Sequence, residues 1–134
     1  MPDVTRPKQR VYPVIHLIPH GVIEVIEIRS VTDIADVVGD RYVDSLSSAD
    51  GRIDFWFSSS LRQPRTLNRR AIELLLATAN FTASTVPLLR GQVLLASHDS
   101  SGHPAGLTKD CLDRLRRPNA LGWRDHWVLD RRCR

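Results

Sequence analysis

The sequence contains little cysteine, hardly any lysine and no long apolar run. Two cysteines among 134 residues are too few for a disulfide-rich secreted scaffold or a four-cysteine zinc site. Its apolar runs fall well short of the roughly 20 residues that a transmembrane helix needs. Residues 1–8 are polar and include two prolines, which is unlike a secretory signal peptide. We therefore expect a cytoplasmic protein that does not bind membranes.

Hydrophobic residues make up 42% of the chain and charged residues 25%, which is typical of a domain with a packed core. We predict a flexible leader at residues 1–10, a single α+β domain at residues 11–117, and a basic, tryptophan-containing tail at residues 118–134. Two interpretations of the tail stay open: it docks on the domain as an additional element, or it is frayed.

Positive charge is concentrated in the second half of the chain. The formal net charge is +4, and 17 of the 19 basic residues are arginine. Residues 1–60 hold six basic and nine acidic side chains, residues 61–107 five and two, and residues 108–134 eight and four. This asymmetry favours a polyanionic partner on the basic side, although a solvated charged surface gives the same pattern.

Apolar periodicity and turn signals predict the element order β-β-α-β-β-α-β-α. Asp50-Gly51 is a tight-turn signal between two strands, Gly39 is a typical residue just beyond a helix end, and Asn68 and Thr108 are expected helix N-caps. We predict an α+β fold with a mainly antiparallel sheet of about five strands and two or three helices. The predicted strands are 11–18, 22–28, 41–47, 52–58 and 92–96, and the predicted helices are 32–38, 68–79 and 108–117.

The stretch LNRRAIELLLATANF, followed by VPLLRGQVLLASHDSSGHPAGLT, is similar to segments of a family known as domain of unknown function 3846. The preceding pattern resembles that family too, with an IEVIEI strand, a short helix ending in VVG and a YVD…DG hairpin. The resemblance covers roughly residues 20–116. It implies an intracellular accessory protein of a plasmid, prophage or phage, and it implies no activity, substrate, cofactor or site residue.

Four arginines surround the predicted start of the helix at 68–79: Arg62, Arg65, Arg69 and Arg70. Two of them lie in its first turn, where the helix dipole disfavours cations by about 0.3–1 kcal/mol each. Guanidiniums beside free backbone N–H groups would attract an anion such as phosphate. The alternative is that these side chains extend into solvent or pair with acidic residues of the first half. Those acidic residues are Asp44, Asp50 and Asp54.

Trp56 is predicted on the polar face of its strand, beside Arg52 and Asp54. A tryptophan exposed beside arginines can stack on nucleic-acid bases, so Trp56 completes the candidate anion- or nucleic-acid-binding site. The alternative is that Trp123 and Trp127 of the tail cover it. The sequence has no aromatic RNP motif, GXXG loop or helix-turn-helix pattern that would strengthen the nucleic-acid interpretation.

Residue types that metal sites and enzymes use are present but poorly spaced. His16 and His20 are four apart on a strand and a turn rather than on one helix, and the two cysteines have no paired spacing. Residues 98–101 place His, Asp and Ser side by side, which is not the geometry of a catalytic triad. There is no GxSxG elbow, P-loop or GxGxxG motif. We predict no catalytic residue, no metal and no cofactor.

Three functions therefore stay open. The prediction is a non-enzymatic binding module of a mobile element that engages nucleic acid or another polyanion through the arginine cluster. The first alternative is an inhibitor or adaptor that binds a host or element-encoded protein through a sheet edge or an apolar patch. The second alternative is an enzyme of an unrecognised type. The oligomeric state is left open.

Overall fold

The computed structural model describes residues 11–60, 66–117 and 121–134. The predicted leader at residues 1–10 therefore lies outside the described residues. The helices are α1 (Val31–Val38), α2 (Arg69–Thr78), α3 (Lys109–Arg116) and α4 (Trp123–Arg132). The strands are β1 (Tyr12–Leu17), β2 (Ile23–Ile28), β3 (Val43–Ser47), β4 (Asp54–Ser58), β5 (Val93–His98) and β6 (Pro104–Ala105).

The strands form one antiparallel sheet in the order β2-β1-β5-β4-β3, and the two-residue β6 pairs with the end of β5. The predicted hairpins β1–β2 and β3–β4 are present, and β5 lies between them at the centre of the sheet. The predicted α+β class is confirmed. The structure adds one strand and one helix to the predicted elements, namely β6 and α4.

Side chains that alternate along the strands fill two separate hydrophobic clusters, one on each face of the sheet. The larger cluster joins Phe55 and Leu95 to buried residues of α2, to Leu115 of α3 and to Leu129 of α4. The smaller cluster joins Leu94 and Ala96 to buried residues of α1. Among the helices of the described residues, three therefore cover one face of the sheet, and the eight-residue α1 packs against the other.

The tail prediction is resolved in favour of docking for residues 121–134. Helix α4 lies in this segment, and Leu129 is fully buried in the larger cluster. Arg132 donates a 2.7 Å hydrogen bond from Nη1 to the carbonyl oxygen of Ala83. No helix among residues 11–60, 66–117 and 121–134 is long and apolar enough to cross a membrane.

A turn joins β3 and β4 at Asp50-Gly51, where the sequence predicts one. Two of its side chains, Ser48 and Asp50, are hydrogen-bonded to each other. The carboxylate of Asp50 accepts hydrogen bonds from the Ser48 hydroxyl (2.6 Å) and from the backbone N–H of Arg52 (3.0 Å). These bonds lower the pKa of Asp50 below its usual 3.8, with smaller contributions from the positive charges of Arg52 and Arg114. Gly51 adopts φ 72°, a left-handed conformation that favours glycine.

We expect the stability of the protein to depend on the ionisation of Asp50. Because the folded-state pKa is lowered, the stabilisation is complete above the unfolded-state pKa and is lost as the pH falls through the folded-state value, below 3.8. In urea unfolding at a series of pH values, Asp50→Asn should lower the free energy of unfolding near neutral pH, and this deficit should shrink below about pH 4.

The matched control is Asp36→Asn, because Asp36 is exposed on α1 and its carboxylate accepts no hydrogen bond from the described residues. Its difference from the wild type should change much less with pH. A deficit for Asp50→Asn that stays constant between neutral and acid pH would contradict the role given to this carboxylate.

Candidate nucleic-acid interface

The first turn of α2, where the predicted cluster begins, is fixed to the sheet by Asn68. This side chain is fully buried, and its amide nitrogen donates to the carbonyl oxygens of Leu17 (2.9 Å) and Gly91 (2.8 Å). Its amide oxygen accepts from the backbone N–H of Ala71 at 3.2 Å, which confirms the predicted N-cap. Asn68 therefore sets the position from which the next two side chains, Arg69 and Arg70, extend.

Arg69 contacts α4 and its own helix. Its Nη1 lies 2.8 Å from Oδ1 of Asp130, its Nη2 lies 3.5 Å from Nδ1 of His126, and its Nε lies 3.8 Å from Oε2 of Glu73. The side chain is 30% exposed and that of Asp130 is 66% exposed, so solvent screening limits this ion pair to at most about 1 kcal/mol. The carboxylates of Asp130 and Glu73 therefore offset the unfavourable interaction between the charge of Arg69 and the positive end of the α2 dipole.

Arg70 contacts α3. Its Nη2 donates a 2.7 Å hydrogen bond to the carbonyl oxygen of Arg117, the residue that ends the helix. The Nε atoms of Arg69 and Arg70 are both buried and have no hydrogen-bond partner among the described residues. Both side chains thus have partners within the described chain, but neither pairs with Asp44, Asp50 or Asp54, the acidic residues that the alternative named. Arg69 pairs with Asp130 and Glu73 rather than with acidic residues of the first half.

The structure does not bring the remaining candidates to this place. Arg62 and Arg65 lie outside the described residues. Trp56 is half-buried and packs against the smaller cluster, on the face of the sheet opposite to α2 and α4. Its indole Nε1 is buried and has no hydrogen-bond partner among the described residues. The described part of the tail, residues 121–134, does not cover Trp56, because Leu129 and Val128 of α4 pack on the other face.

An exposed aromatic and basic surface lies instead on α4. Trp123 is 74% exposed and Trp127 is 56% exposed, and they are one helical turn apart on the same side of the helix. The guanidinium carbon of Arg124 lies 5.3 Å from the centre of the Trp123 ring, and that of Arg131 lies 4.9 Å from the centre of the Trp127 ring. We call these four residues the Trp–Arg surface.

A shallow groove of about 390 Å³ adjoins this surface. It runs between α4 and the loop after α2, and it is lined by Ser84, Trp127, Val128, Arg131 and Arg132. Sequence reasoning missed the Trp–Arg surface because it left the tail without a secondary structure. The spacing of Trp123, Trp127 and Arg131, four residues apart each time, is the signal that indicates one helix face.

The polar cluster around Asp54 differs from a catalytic triad in its arrangement. The buried carboxylate of Asp54 accepts a hydrogen bond from the Ser47 hydroxyl at 2.7 Å and lies 2.8 Å from Nδ1 of His98. The serine thus contacts the aspartate rather than the histidine, which differs from a nucleophile–base pair. Within residues 11–60, 66–117 and 121–134, no three His, Cys, Asp or Glu side chains are grouped to hold a metal ion.

Comparison with known proteins gives no matching family model, no similar curated protein and no similar solved structure.

We expect Asn68→Ala to be strongly destabilising. It removes the helix cap and leaves the buried carbonyl oxygens of Leu17 and Gly91 without this donor, which should cost about 3 kcal/mol of unfolding free energy. Asn68→Asp keeps the capping oxygen and loses both donors, so it should also be destabilising. Chemical denaturation measures both values.

The matched control is Asn80→Ala, since Asn80 is exposed just after α2 and its side chain has no hydrogen bond to the described residues. This change should cost less than about 0.5 kcal/mol. Equal losses for Asn68→Ala and Asn80→Ala would show that the buried amide does not hold α2 to the sheet.

Proposed function

We propose that this chain is a non-enzymatic binding module for single-stranded nucleic acid and that the Trp–Arg surface of α4 is the contact site. The observation that carries the proposal is a pair of exposed indole rings one helical turn apart, each with a guanidinium over it. Together with the resemblance found in the sequence, this gives the proposal of an accessory nucleic-acid-binding protein of a mobile element.

Single strands suit this surface better than a duplex. Every unpaired base offers a flat π-face, and stacking on an aromatic side chain contributes about 1–3 kcal/mol per base with little sequence preference. In a duplex these faces are covered by neighbouring bases, and readout goes through the groove edges. The indole rings of Trp123 and Trp127 carry one hydrogen-bond donor each, so they favour stacking over edge readout.

The charge around the Trp–Arg surface favours phosphate. Residues 108–134 carry eight basic and four acidic side chains, an excess that equals the net charge of the whole chain. One of the acidic side chains of α4, Asp130, is engaged by Arg69. Arg124 and Arg131 are exposed, and a guanidinium that lies over an indole can contact a phosphate while the base stacks on the ring.

The internal pairing of Arg69 and Arg70 changes the role that the sequence indicated for them. In this proposal they hold α3 and α4 against α2, and they position the binding surface rather than contact the ligand. An exposed tryptophan pair with arginines is also the composition of a protein-binding hot spot, so the protein-binding alternative is an outcome of the following test.

The test is fluorescence anisotropy with a labelled oligothymidine of about 20 nucleotides, long enough for typical single-strand sites. Trp123→Ala and Trp127→Ala should each weaken binding by about tenfold, because each removes one stacking partner. Arg131→Gln should weaken binding by a smaller factor. It should also reduce the slope of log affinity against log salt concentration by about the amount that one phosphate contact contributes.

The chain offers a matched control just before β3. Tyr42 is 56% exposed, as Trp127 is, and the guanidinium carbon of Arg41 lies 5.2 Å from the centre of its ring. Tyr42→Ala and Arg41→Gln should leave affinity for the oligonucleotide unchanged. Equal losses at the two places would indicate non-specific attraction and contradict the proposed site.

The same variants separate the protein-binding alternative. The nucleic-acid proposal is wrong if the oligonucleotide does not bind at low salt while a protein partner is retained from nuclease-treated lysate. In that case Trp127→Ala should abolish retention of the protein partner. Binding of the oligonucleotide that falls steeply with salt and requires Trp123 and Trp127 supports it.

A further inference from the structure

A cavity of about 340 Å³ lies between the β3–β4 turn, the end of β5 and the segment from Gly106 to Arg114, which includes most of α3. Its size is within the range of small-molecule sites. The cavity is lined by two arginines, two residues with hydroxyl groups, one aspartate, one cysteine and a short segment before α3. These residues are Arg52, Arg114, Ser97, Thr108, Asp110, Cys111, Gly106 and Leu107. None of these residues belongs to the Trp–Arg surface.

The two guanidiniums of this cavity have no hydrogen bond or ion pair with the described residues. Both Arg52 and Arg114 are exposed, and the ion pairs of the described chain involve other side chains. Both lie close enough to Asp50 to help lower its pKa, so their positive charges act on the same corner of the molecule. The carboxylate of Asp50, however, is already hydrogen-bonded to Ser48 and to the backbone of Arg52.

The start of α3 adds donors to the cavity wall. Thr108 is the N-cap, and its hydroxyl accepts from the backbone N–H of Cys111 at 3.2 Å. The first N–H groups of a helix have no acceptor within the helix, and the dipole makes this end positive. The Ser97 hydroxyl faces the same cavity and has no hydrogen-bond partner among the described residues.

The remaining lining residues restrict what fits. Leu107 and Cys111 supply an apolar wall, and Asp110 supplies one negative charge at the rim. Asp110 and Arg114 are one helical turn apart on α3, but they do not form an ion pair. An anionic group would contact the two guanidiniums, and a hydroxyl or amine of the same molecule would satisfy Asp110.

We propose that this cavity binds a small organic anion that carries a phosphate or carboxylate group and a separate hydrogen-bond donor. The anionic group would lie between Arg52 and Arg114 in the part of the cavity beside α3. The class is set by two guanidiniums that line one cavity and have no hydrogen bond or ion pair with the described residues, an arrangement that suits tetrahedral or planar oxyanions. This site is independent of the proposed nucleic-acid interface.

The first test is an NMR titration of the full chain, at fixed ionic strength, with inorganic phosphate, with lactate and with a nucleoside monophosphate. We expect saturable shifts of the backbone amides of Gly106, Thr108 and Cys111 with the probes that fit. Arg52→Gln and Arg114→Gln should each weaken binding by about tenfold or more, because each removes a charge-assisted hydrogen bond.

Arg116→Gln is the matched control, since Arg116 is also exposed on α3 but does not line the cavity. It should leave these shifts unchanged. Equal weakening by Arg114→Gln and Arg116→Gln would overturn the proposal. The absence of saturable shifts with all three probes at about 10 mM would overturn it as well, because this concentration is tenfold above the Kd of roughly 1 mM that is typical of a weak site.

The chain contains a second readout with its own control. Both cysteines are free and half-buried, but only Cys111 lines this cavity, whereas Cys133 lies at the end of α4. The probe that binds should slow alkylation of Cys111 by iodoacetamide several-fold and leave Cys133 unaffected. Equal protection of both thiols, or of neither, would contradict occupancy of the cavity.

The two proposals fail separately. Loss of oligonucleotide binding in Trp123→Ala and Trp127→Ala should leave the shifts of Gly106 and Thr108 intact. Arg114→Gln should weaken the binding that causes those shifts by about tenfold or more, and it should change the affinity for the oligonucleotide only by the small amount expected from removing one positive charge.

Discussion

The buried amide of Asn68 is the interaction on which the functional half of the molecule depends. One side chain, with no exposed surface, joins the end of β1, the turn before β5 and the first turn of α2. Three of its polar contacts are made in the interior, where an unpaired carbonyl would be costly. Because α3 and α4 are tied to α2 by the two arginines that follow Asn68, their placement depends on it as well.

The two faces of the sheet have different roles as a result. The face that carries α2, α3 and α4 has the larger hydrophobic cluster, the basic side chains of α3 and α4, and both proposed sites. The opposite face has α1, Trp56 and the Asp54–His98 pair. Helices α2, α3 and α4 and the arginines that they carry therefore lie on one side of the sheet, while the acidic first half of the sequence supplies four of the five main strands.

Local signals in the sequence predict most of the fold. Strand alternation around Phe55, the Asp50-Gly51 turn and the caps at Asn68 and Thr108 depend on neighbouring residues, and each is present in the structure. The two-residue β6 is too short to leave a periodic signal. Helix α4 escaped prediction because its tryptophans are exposed and a single residue, Leu129, is fully buried, which inverts the usual apolar pattern.

The site was harder to predict because its determinants are distant in sequence. The conflict between Arg69 and the helix dipole is visible locally, but the carboxylate that relieves it, Asp130, is 61 residues away. Alternation along β4 places Trp56 and Phe55 on opposite faces, yet only the packed structure shows that α1 shields the Trp56 side. The cavity between Arg52 and Arg114 likewise requires a turn and a helix that the sequence keeps far apart.

The attachment of α4 has a consequence for how the protein responds to mild heat or denaturant. Helix α4 is held by the buried Leu129 and the partly buried Val128, by the contacts of Arg69 with two of its side chains, and by a hydrogen bond from Arg132 to the loop after α2. All of these partners are distant in sequence and the ion pair is largely exposed, so we expect α4 to open at a lower free energy than the central strands of the sheet. A population with an intact sheet and a detached α4 would still resemble the native state in secondary structure while its indole rings no longer had a fixed arrangement.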